Sequence, residues 1–429
     1  FKRILLLNKS RQRPPDRLIL FPLSTPKATF ISVAVPSGPK IKDVHQSSIA
    51  AIYAGQFHSK PTLLVRAPGR INLIGEHTDY NGGIVLPGAI PQAIWIAIGK
   101  RDDSQLHLLA TDLNEFVQLD IHNYTFQQEA SWANYLLGVL REFQDQDLPS
   151  CGLNIAFGGT IPTGAGLSSS AALVSGMAVA LNSLFQLEKS QLELVRLAQR
   201  AENNFVGTQC GIMDMFAYIF GRRGQVIQLD CRSLSYRYFS FQSSAYQFVL
   251  LDSGVKHQLV ESEYNIRRSE CESGVALLQK QGLPIQQLRD LSKTDLQARK
   301  AHLPSTIYQR CLFVVEEIER VQQACQLLEA GDLEGFGALL TQCHQGLHTL
   351  YDVCVPETNF LVEQATCRAG VLGARQMGGG FGGCVLCLVD TDAIPALLDS
   401  LQEAYQAAFG INLKAYPVEL AEGASVVAD

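Results

Sequence analysis

Between Arg66 and Tyr80 the chain reads Arg-Ala-Pro-Gly-Arg-Ile-Asn-Leu-Ile-Gly-Glu-His-Thr-Asp-Tyr, directly after an apolar, strand-like run. Arg70, Glu76, His77 and Asp79 therefore crowd one Gly-bounded turn. Buried charges are costly unless paired or liganded, so the cluster points to recognition rather than packing. Its chemistry suits a polyhydroxylated small molecule, because a carboxylate accepts hydrogen bonds from neighbouring hydroxyls and such charge-assisted bonds are strong. The alternative is a solvated surface loop.

A second constellation is Gly158-Gly-Thr-Ile-Pro-Thr-Gly-Ala-Gly-Leu-Ser-Ser-Ser-Ala-Ala172, with a strand before it and a helix after it. Glycines let the backbone approach a ligand closely. The free N–H groups and dipole of the helix's first turn favour a polyanion such as a triphosphate. Ser168, Ser169 and Ser170 add hydroxyls for phosphate oxygens or a metal. The run is not a P-loop, because the Gly-Lys-Ser/Thr ending is absent. It also fails the dinucleotide fingerprint, since Ser169 stands where the third glycine would follow Gly164-Ala-Gly166. A Ser-capped helix without a ligand is the alternative.

Further along, Asp214 sits among apolar residues in Cys210-Gly-Ile-Met-Asp-Met-Phe216, where a helix cap or surface pair is the ordinary expectation. Asp252 to Arg268 reads as a charged amphipathic helix, and Gly378-Gly-Gly-Phe-Gly-Gly383 as a tight turn before a strand. His344 and His348 have zincin spacing, but Gln345 replaces the glutamate a metalloprotease needs, so no metal role is expected. Cys384-Val-Leu-Cys387 lies in a strand-like run and reads as packing rather than a redox or zinc site.

The elements that must position these groups mix without strict βαβ alternation, which favours α+β. Helices are expected over 41–52, 132–143, 167–185, 191–204, 256–281, 306–329, 333–350 and 393–409. Strands are expected over 62–66, 84–86, 94–101, 153–157, 225–229, 248–252, 384–389 and 413–418. A boundary is expected between Asp230 and Asp252, dividing residues 39–240 from 241–429. Trp132 and Tyr135 share a helix face and would ordinarily be core.

With 429 residues, 47% hydrophobic and 18% charged, the chain can bury a large core over two or three domains. A net charge of −6 argues against nucleic acid or an anionic membrane as partner. No apolar run reaches the ~20 residues of a membrane span. Eleven irregularly spaced cysteines suit a reducing, cytoplasmic compartment. Residues 1–40 hold eight Lys/Arg and one Asp. The segment 1–38 reads as a basic extension, disordered or processed, with a transit peptide as the weaker reading.

The Arg66–Tyr80 run, Gly-Glu-His-Thr-Asp-Tyr included, resembles the signature of galactokinases. The Gly158–Ala172 loop resembles the phosphate-binding motif of the wider GHMP kinases, and Gly378–Gly383 their third motif. Cys210–Phe216 and Val255–Tyr264 resemble further galactokinase segments, so the resemblance spans about residues 40–429. It implies a two-domain GHMP kinase fold, with a ribosomal-protein-S5-domain-2-like N-terminal half, a ferredoxin-like C-terminal half and the active site between them. It implies ATP-dependent phosphorylation of the C1 hydroxyl of D-galactose, the entry step of galactose catabolism, by a monomer or weak dimer.

The same resemblance implies roles. Asp214 would be the catalytic base, with Arg70 beside it stabilising charge on the transferring phosphoryl group. Glu76, His77, Thr78, Asp79, Gly211 and Tyr264 would bind the sugar. Gly164, Ala165, Gly166, Leu167, Ser168, Ser169 and Ser170 would hold ATP, with Trp132 and Tyr135 near its base. Ser170 and Glu202 would ligate Mg²⁺. The chain departs from the family at Met215, where Gln is common, and at Gln376-Met377, where Met-Thr is common. An N-acetylgalactosamine kinase is one alternative; Thr78 within Glu-His-Thr-Asp favours galactose. A non-catalytic galactose sensor is another, disfavoured by the intact Ser168–Ala172 run. A mevalonate-type kinase fits poorly with an acidic sugar loop, because its substrate is itself an anion.

Overall fold

A computed structural model describes residues 44–144, 151–161, 168–241, 243–256 and 260–427. The expected extension over 1–38 lies outside them. The largest sheet has six strands in the order β13 (Ser425–Val427), β1 (Leu63–Asn72), β3 (Pro87–Lys100), β6 (Leu153–Gly159), β4 (Gln105–Ala110) and β5 (Glu115–Asp120). Its pairs are antiparallel except β4 with β6. A second, fully antiparallel sheet runs β10 (Val371–Gln376), β11 (Gly382–Asp390), β9 (Tyr246–Lys256), β12 (Lys414–Val418). A small third sheet joins β2 (Ile84–Val85), β7 (Gln225–Asp230) and β8 (Tyr236–Ser240). One parallel pair among antiparallel ladders makes this α+β rather than doubly wound.

The helices are α1 (Gln46–Phe57), α2 (Ala133–Gln144), α3 (Ser169–Phe185), α4 (Gln191–Arg200), α5 (Met213–Phe220), α6 (Val260–Lys280), α7 (Lys293–Ala298), α8 (Ser305–Ala330), α9 (Leu333–Gly346), α10 (Pro356–Thr366) and α11 (Ile394–Phe409). Helix α3 is apolar or small on every side because it is buried beneath the large sheet. Gly176 permits that approach: a Cβ there would lie 2.6 Å from the Cβ of Ala67 on β1. Helix α1 covers the sheet's other face through Ile49 and Tyr53, against Leu64, Ala97 and Ala156.

The main core joins β1, β3 and α3 to α6, α8 and α9, so a continuous apolar interior crosses the expected boundary. A separate core lies between the outer face of the four-stranded sheet and α10 and α11. Cys384 belongs to the first core and Cys387 to the second, as expected for residues three apart on a strand. This pair fills opposite faces of β11.

Several elements differ from the sequence expectation. Strand β1 does not stop at Arg66 but continues to Asn72 opposite β3, absorbing Pro68 at a bulge. Arg70 therefore projects from a rigid strand. The helix expected over 191–204 is α-helical only to Arg200 and then widens into a π-helical turn, Ala201–Val206, that carries Glu202. A second π-helical turn, Leu347–Tyr351, ends the helix expected to reach Leu350. The short strands β4, β5, β8, β10 and β13 were not foreseen; β13 is extended because it pairs with β1, far away in the sequence. Helices α5 and α10 were not foreseen either.

Candidate active site

The ends of β1, α3, the π-helical turn, α5, β9 and the glycine loop 378–383 converge on one cleft of about 450 Å³. At its floor the Arg70 guanidinium grips Asp214 in bidentate fashion, Nε to Oδ1 at 2.7 Å and Nη2 to Oδ2 at 2.9 Å. The same Nη2 donates to Ser168 Oγ at 2.8 Å. Burial lowers the Arg70 pKa, but the neighbouring Asp214 carboxylate outweighs it and the net shift is upward. Arg70 is thus a fixed cation facing the start of α3.

Ser168 occupies the N-cap position of α3 in a left-handed conformation (φ 47°) and makes no side-chain cap. Its carbonyl accepts from the Tyr218 hydroxyl at 2.9 Å. Ser168, Ser169 and Ser170 all line the cleft, as does Glu202. Cys210 Sγ lies 3.2 Å from both Glu202 Oε2 and Asn203 Oδ1. Ser170 and Glu202 offer hard oxygen donors on the same wall. Among the described residues no cluster of three or more His, Cys, Asp or Glu could hold a metal. A cation here would keep water and phosphate oxygens as further ligands, the habit of Mg²⁺.

The acidic loop forms the opposite wall. Gly75, at φ 103°, donates its N–H to the buried Glu317 Oε1 at 2.8 Å, which fixes the turn. Glu76 Oε1 accepts from Arg375 Nη2 and from Gly378 N, both at 2.8 Å. His77 Nδ1 bonds the Tyr80 hydroxyl at 2.8 Å, and Tyr80 in turn bonds Tyr351. Burial, with Arg267 and Arg375 nearby, pulls the His77 pKa down to about 3, so the ring is neutral. Asp79 is pushed up to about 7 by burial and by the charges of Asp214 and Glu76. Gly211 packs onto Asp79 so closely that a Cβ would sit 1.7 Å from Oδ2. Tyr264 closes the cleft beside the glycine loop, against Gly379.

Of the residues singled out from sequence, Arg70, Glu76, His77, Asp79, Ser168, Ser169, Ser170, Glu202, Gly211, Asp214 and Tyr264 line this cleft. Gly164, Ala165, Gly166 and Leu167 lie outside the described residues. Thr78 departs from its expected place at the sugar. It is fully buried behind the loop, with Oγ1 2.9 Å from Gly75 O and 2.8 Å from Ile84 O. Glu76, His77 and Asp79 line the cleft, while the two carbonyl acceptors hold Thr78 in the scaffold. Trp132 and Tyr135 do not line the cleft. Trp132 donates Nε1 to Glu115 Oε2 at 2.5 Å and packs against Phe157 of β6, the strand that leads towards residue 162. His344 Nδ1 accepts from Gln376 N, and His348 Nδ1 lies 3.1 Å from Asn359 Nδ2.

Sequence reasoning missed Arg375, Glu317, Tyr80 and Tyr351. Arg375 carried a usable signal, since a charge inside an otherwise apolar strand demands a buried partner.

Comparison with known proteins shows which family the chain resembles. Residues 134–222 match the GHMP kinases N terminal domain, residues 324–407 the GHMP kinases C terminal domain, and residues 51–100 the galactokinase galactose-binding signature. The galactokinase of Thermotoga maritima is 39% identical over 359 residues, 84% of this chain and 98% of that protein. The galactokinase of Chloroflexus aggregans is 38% identical over 380 residues, 89% and 97% respectively. The crystal structure of Lactococcus lactis galactokinase complexed with galactose superposes with a TM-score of 0.84 at 33% identity, covering 88% of this chain and 99% of that one. The mevalonate kinase of Methanococcus jannaschii shares the fold, at TM-score 0.62 and 18% identity. A GHMP kinase fold, a galactose-binding signature spanning the acidic loop and these relatives over most of the chain agree: the protein belongs to the galactokinase family of GHMP kinases.

Proposed function

We propose that this protein transfers the γ-phosphoryl group of ATP to the C1 hydroxyl of D-galactose, giving galactose 1-phosphate and ADP. The observation that carries the reading is the Arg70–Asp214 ion pair, set between the serines of α3 and the acidic sugar loop. Phosphoryl transfer needs in-line positioning and charge stabilisation more than covalent chemistry, and this arrangement supplies both.

Galactose lies against Glu76, His77, Asp79 and Tyr264, with Gly211 letting Asp79 and the sugar approach. The C1 hydroxyl faces Asp214, which accepts its proton as the C1 oxygen bonds to the γ-phosphorus and the bond to the β,γ-bridging oxygen breaks. Arg70 orients Asp214 and offsets charge on the transferring group. The N-terminus of α3 with Ser168–Ser170 faces the triphosphate. Mg²⁺ held by Ser170 and Glu202 would neutralise phosphate charge there. A cytoplasmic location is supported by eleven cysteines that all remain free. A division at 240/241 is supported by the cleft's composition: the acid loop and serines precede it in the chain, and Tyr264 and the glycine loop follow it.

The test is coupled ADP release with Mg-ATP and galactose, N-acetylgalactosamine, glucose or mevalonate. Turnover on galactose alone is expected. Galactose binding without turnover on any of the four would replace catalysis with a sensing role, and turnover on another sugar would reassign the substrate.

A further inference from the structure

Arg375 is fully buried and does not line the cleft, yet its guanidinium reaches the loop that does. Nε donates to Leu73 O at 2.7 Å and Nη1 to Gln376 O at 2.9 Å. Nη2 donates to Asn72 O and, at 2.8 Å, to Glu76 Oε1. One side chain thus ties the end of β1 to the carboxylate of the acidic loop from across the chain, on β10.

The Glu76 carboxylate is divided by this arrangement. Both of its protein donors, Arg375 Nη2 and Gly378 N, fall on Oε1. Oε2 has no protein donor among the described residues, and Glu76 lines the cleft. Burying an ion pair is seldom the cheapest way to stabilise a fold, because desolvation offsets the Coulomb attraction. An apolar pair would fill the same space. What the ion pair adds is orientation: with Oε1 held by two donors, rotation of the carboxylate is blocked and Oε2 points to the ligand. Gly378 is the first residue of the glycine loop, at φ 86°, so the same carboxylate oxygen joins the sugar loop to the loop facing Tyr264.

We propose that Arg375 is a positioning residue that fixes Glu76 so that Oε2 accepts from one hydroxyl of the sugar. It acts on recognition of that hydroxyl without touching the substrate. The inference rests on the galactose reading above and deepens it.

The experiment compares wild type with Arg375→Lys, which keeps the charge but cannot donate as a planar fork. Both are assayed with galactose and with its 2-, 3-, 4- and 6-deoxy analogues, with thermal unfolding as a fold check. Wild type is expected to turn over galactose. The variant is expected to lose about 10- to 100-fold in kcat/KM, mostly through galactose KM, with ATP KM within about twofold. That loss should vanish for the one deoxy sugar lacking the hydroxyl held by Glu76 and persist for the others. Equal loss on every sugar, or no loss, overturns the positioning role. A wild type silent on galactose overturns the function and this inference with it. Should Arg375→Lys fail to fold, wild-type protein with labelled arginine guanidinium groups gives the second reading by NMR. Buried Arg375 resonances should shift on adding galactose and not on adding ATP; an unchanged signal with bound galactose overturns the proposal.

Discussion

Gly211→Ala is the sharpest test of the sugar wall. Gly211 is not among the residues with positive φ, so alanine fits its backbone and only the new methyl matters. That methyl would lie 1.7 Å from Asp79 Oδ2, 2.2 Å from Cγ and 3.0 Å from Cβ. Ordinary contact begins near 3.4 Å, so the carboxylate oxygen must retreat by about 1.7 Å, and because Cβ is also crowded the whole side chain must turn. Overpacking costs on the order of 1–3 kcal/mol; Asp79 borders an open cleft, which places the cost near the low end. Function should suffer more, since displacements of about 1 Å at a binding group can cost ~10²-fold. We expect kcat/KM for galactose to fall about 100-fold with ATP KM unchanged, in the coupled ADP assay. In an Asp79→Ala background the same substitution should cost almost nothing, because the clashing group is gone. An additive loss in the double variant, or a single variant with normal galactose KM, would refute the argument that Gly211 exists to seat Asp79.

Asp214→Asn keeps the side chain's shape but removes the proton acceptor; turnover should drop at least ~10²-fold while calorimetry still detects ATP binding. The Asp79 carboxyl sits near pH 7 in the folded protein against 3.8 ordinarily, so its contribution to stability is present below about 3.8 and lost as pH rises through 7. Asp79→Asn should therefore gain thermal stability relative to wild type as pH climbs over that window; a constant difference across it would contradict the shift. Sugar hydroxyls donate to the ionised carboxylate, so galactose KM should also fall as pH passes 7 in wild type and flatten in the variant. Thr78→Val removes the hydroxyl that serves Gly75 O and Ile84 O; about 1–3 kcal/mol of stability should be lost with discrimination between galactose and N-acetylgalactosamine unchanged. A change in discrimination at full stability would return Thr78 to the sugar.

Much of the cleft was legible because its chemistry is contiguous. Glu76-His77-Thr78-Asp79 and Ser168-Ser169-Ser170 declare their residue types within single turns, and the helix after the serines followed from a run of small and apolar residues from Ala171 to Leu181. The longer helices α8 and α11 were legible from periodicity for the same reason: their pattern repeats within the chain segment itself. Strands β4, β8 and β13 were not, because a short strand exists only by virtue of its ladder. Ser425–Val427 is extended because it pairs with Leu64–Arg66 on β1, and nothing local demands it.

The sequence by itself determined which functional groups are present, and the order in which the acid loop, the serines at the start of α3, Asp214 and the glycine loop follow one another. It determined them because side-chain chemistry and local turn formation depend on neighbours a few residues away. Only the tertiary structure decided which of those groups line the cleft. Thr78 turns away while Asp79 turns in because Gly75 is pinned by Glu317 from α8. Glu76 is aimed because Arg375, on β10, reaches back to it. Glu202 lines the same cleft as the serines from a π-helical turn, where the sequence led us to expect a regular helix over 191–204. Orientation of a side chain is set by hydrogen bonds and packing from elements far away in the chain, and those contacts exist only once the sheets and helices have closed around the cleft.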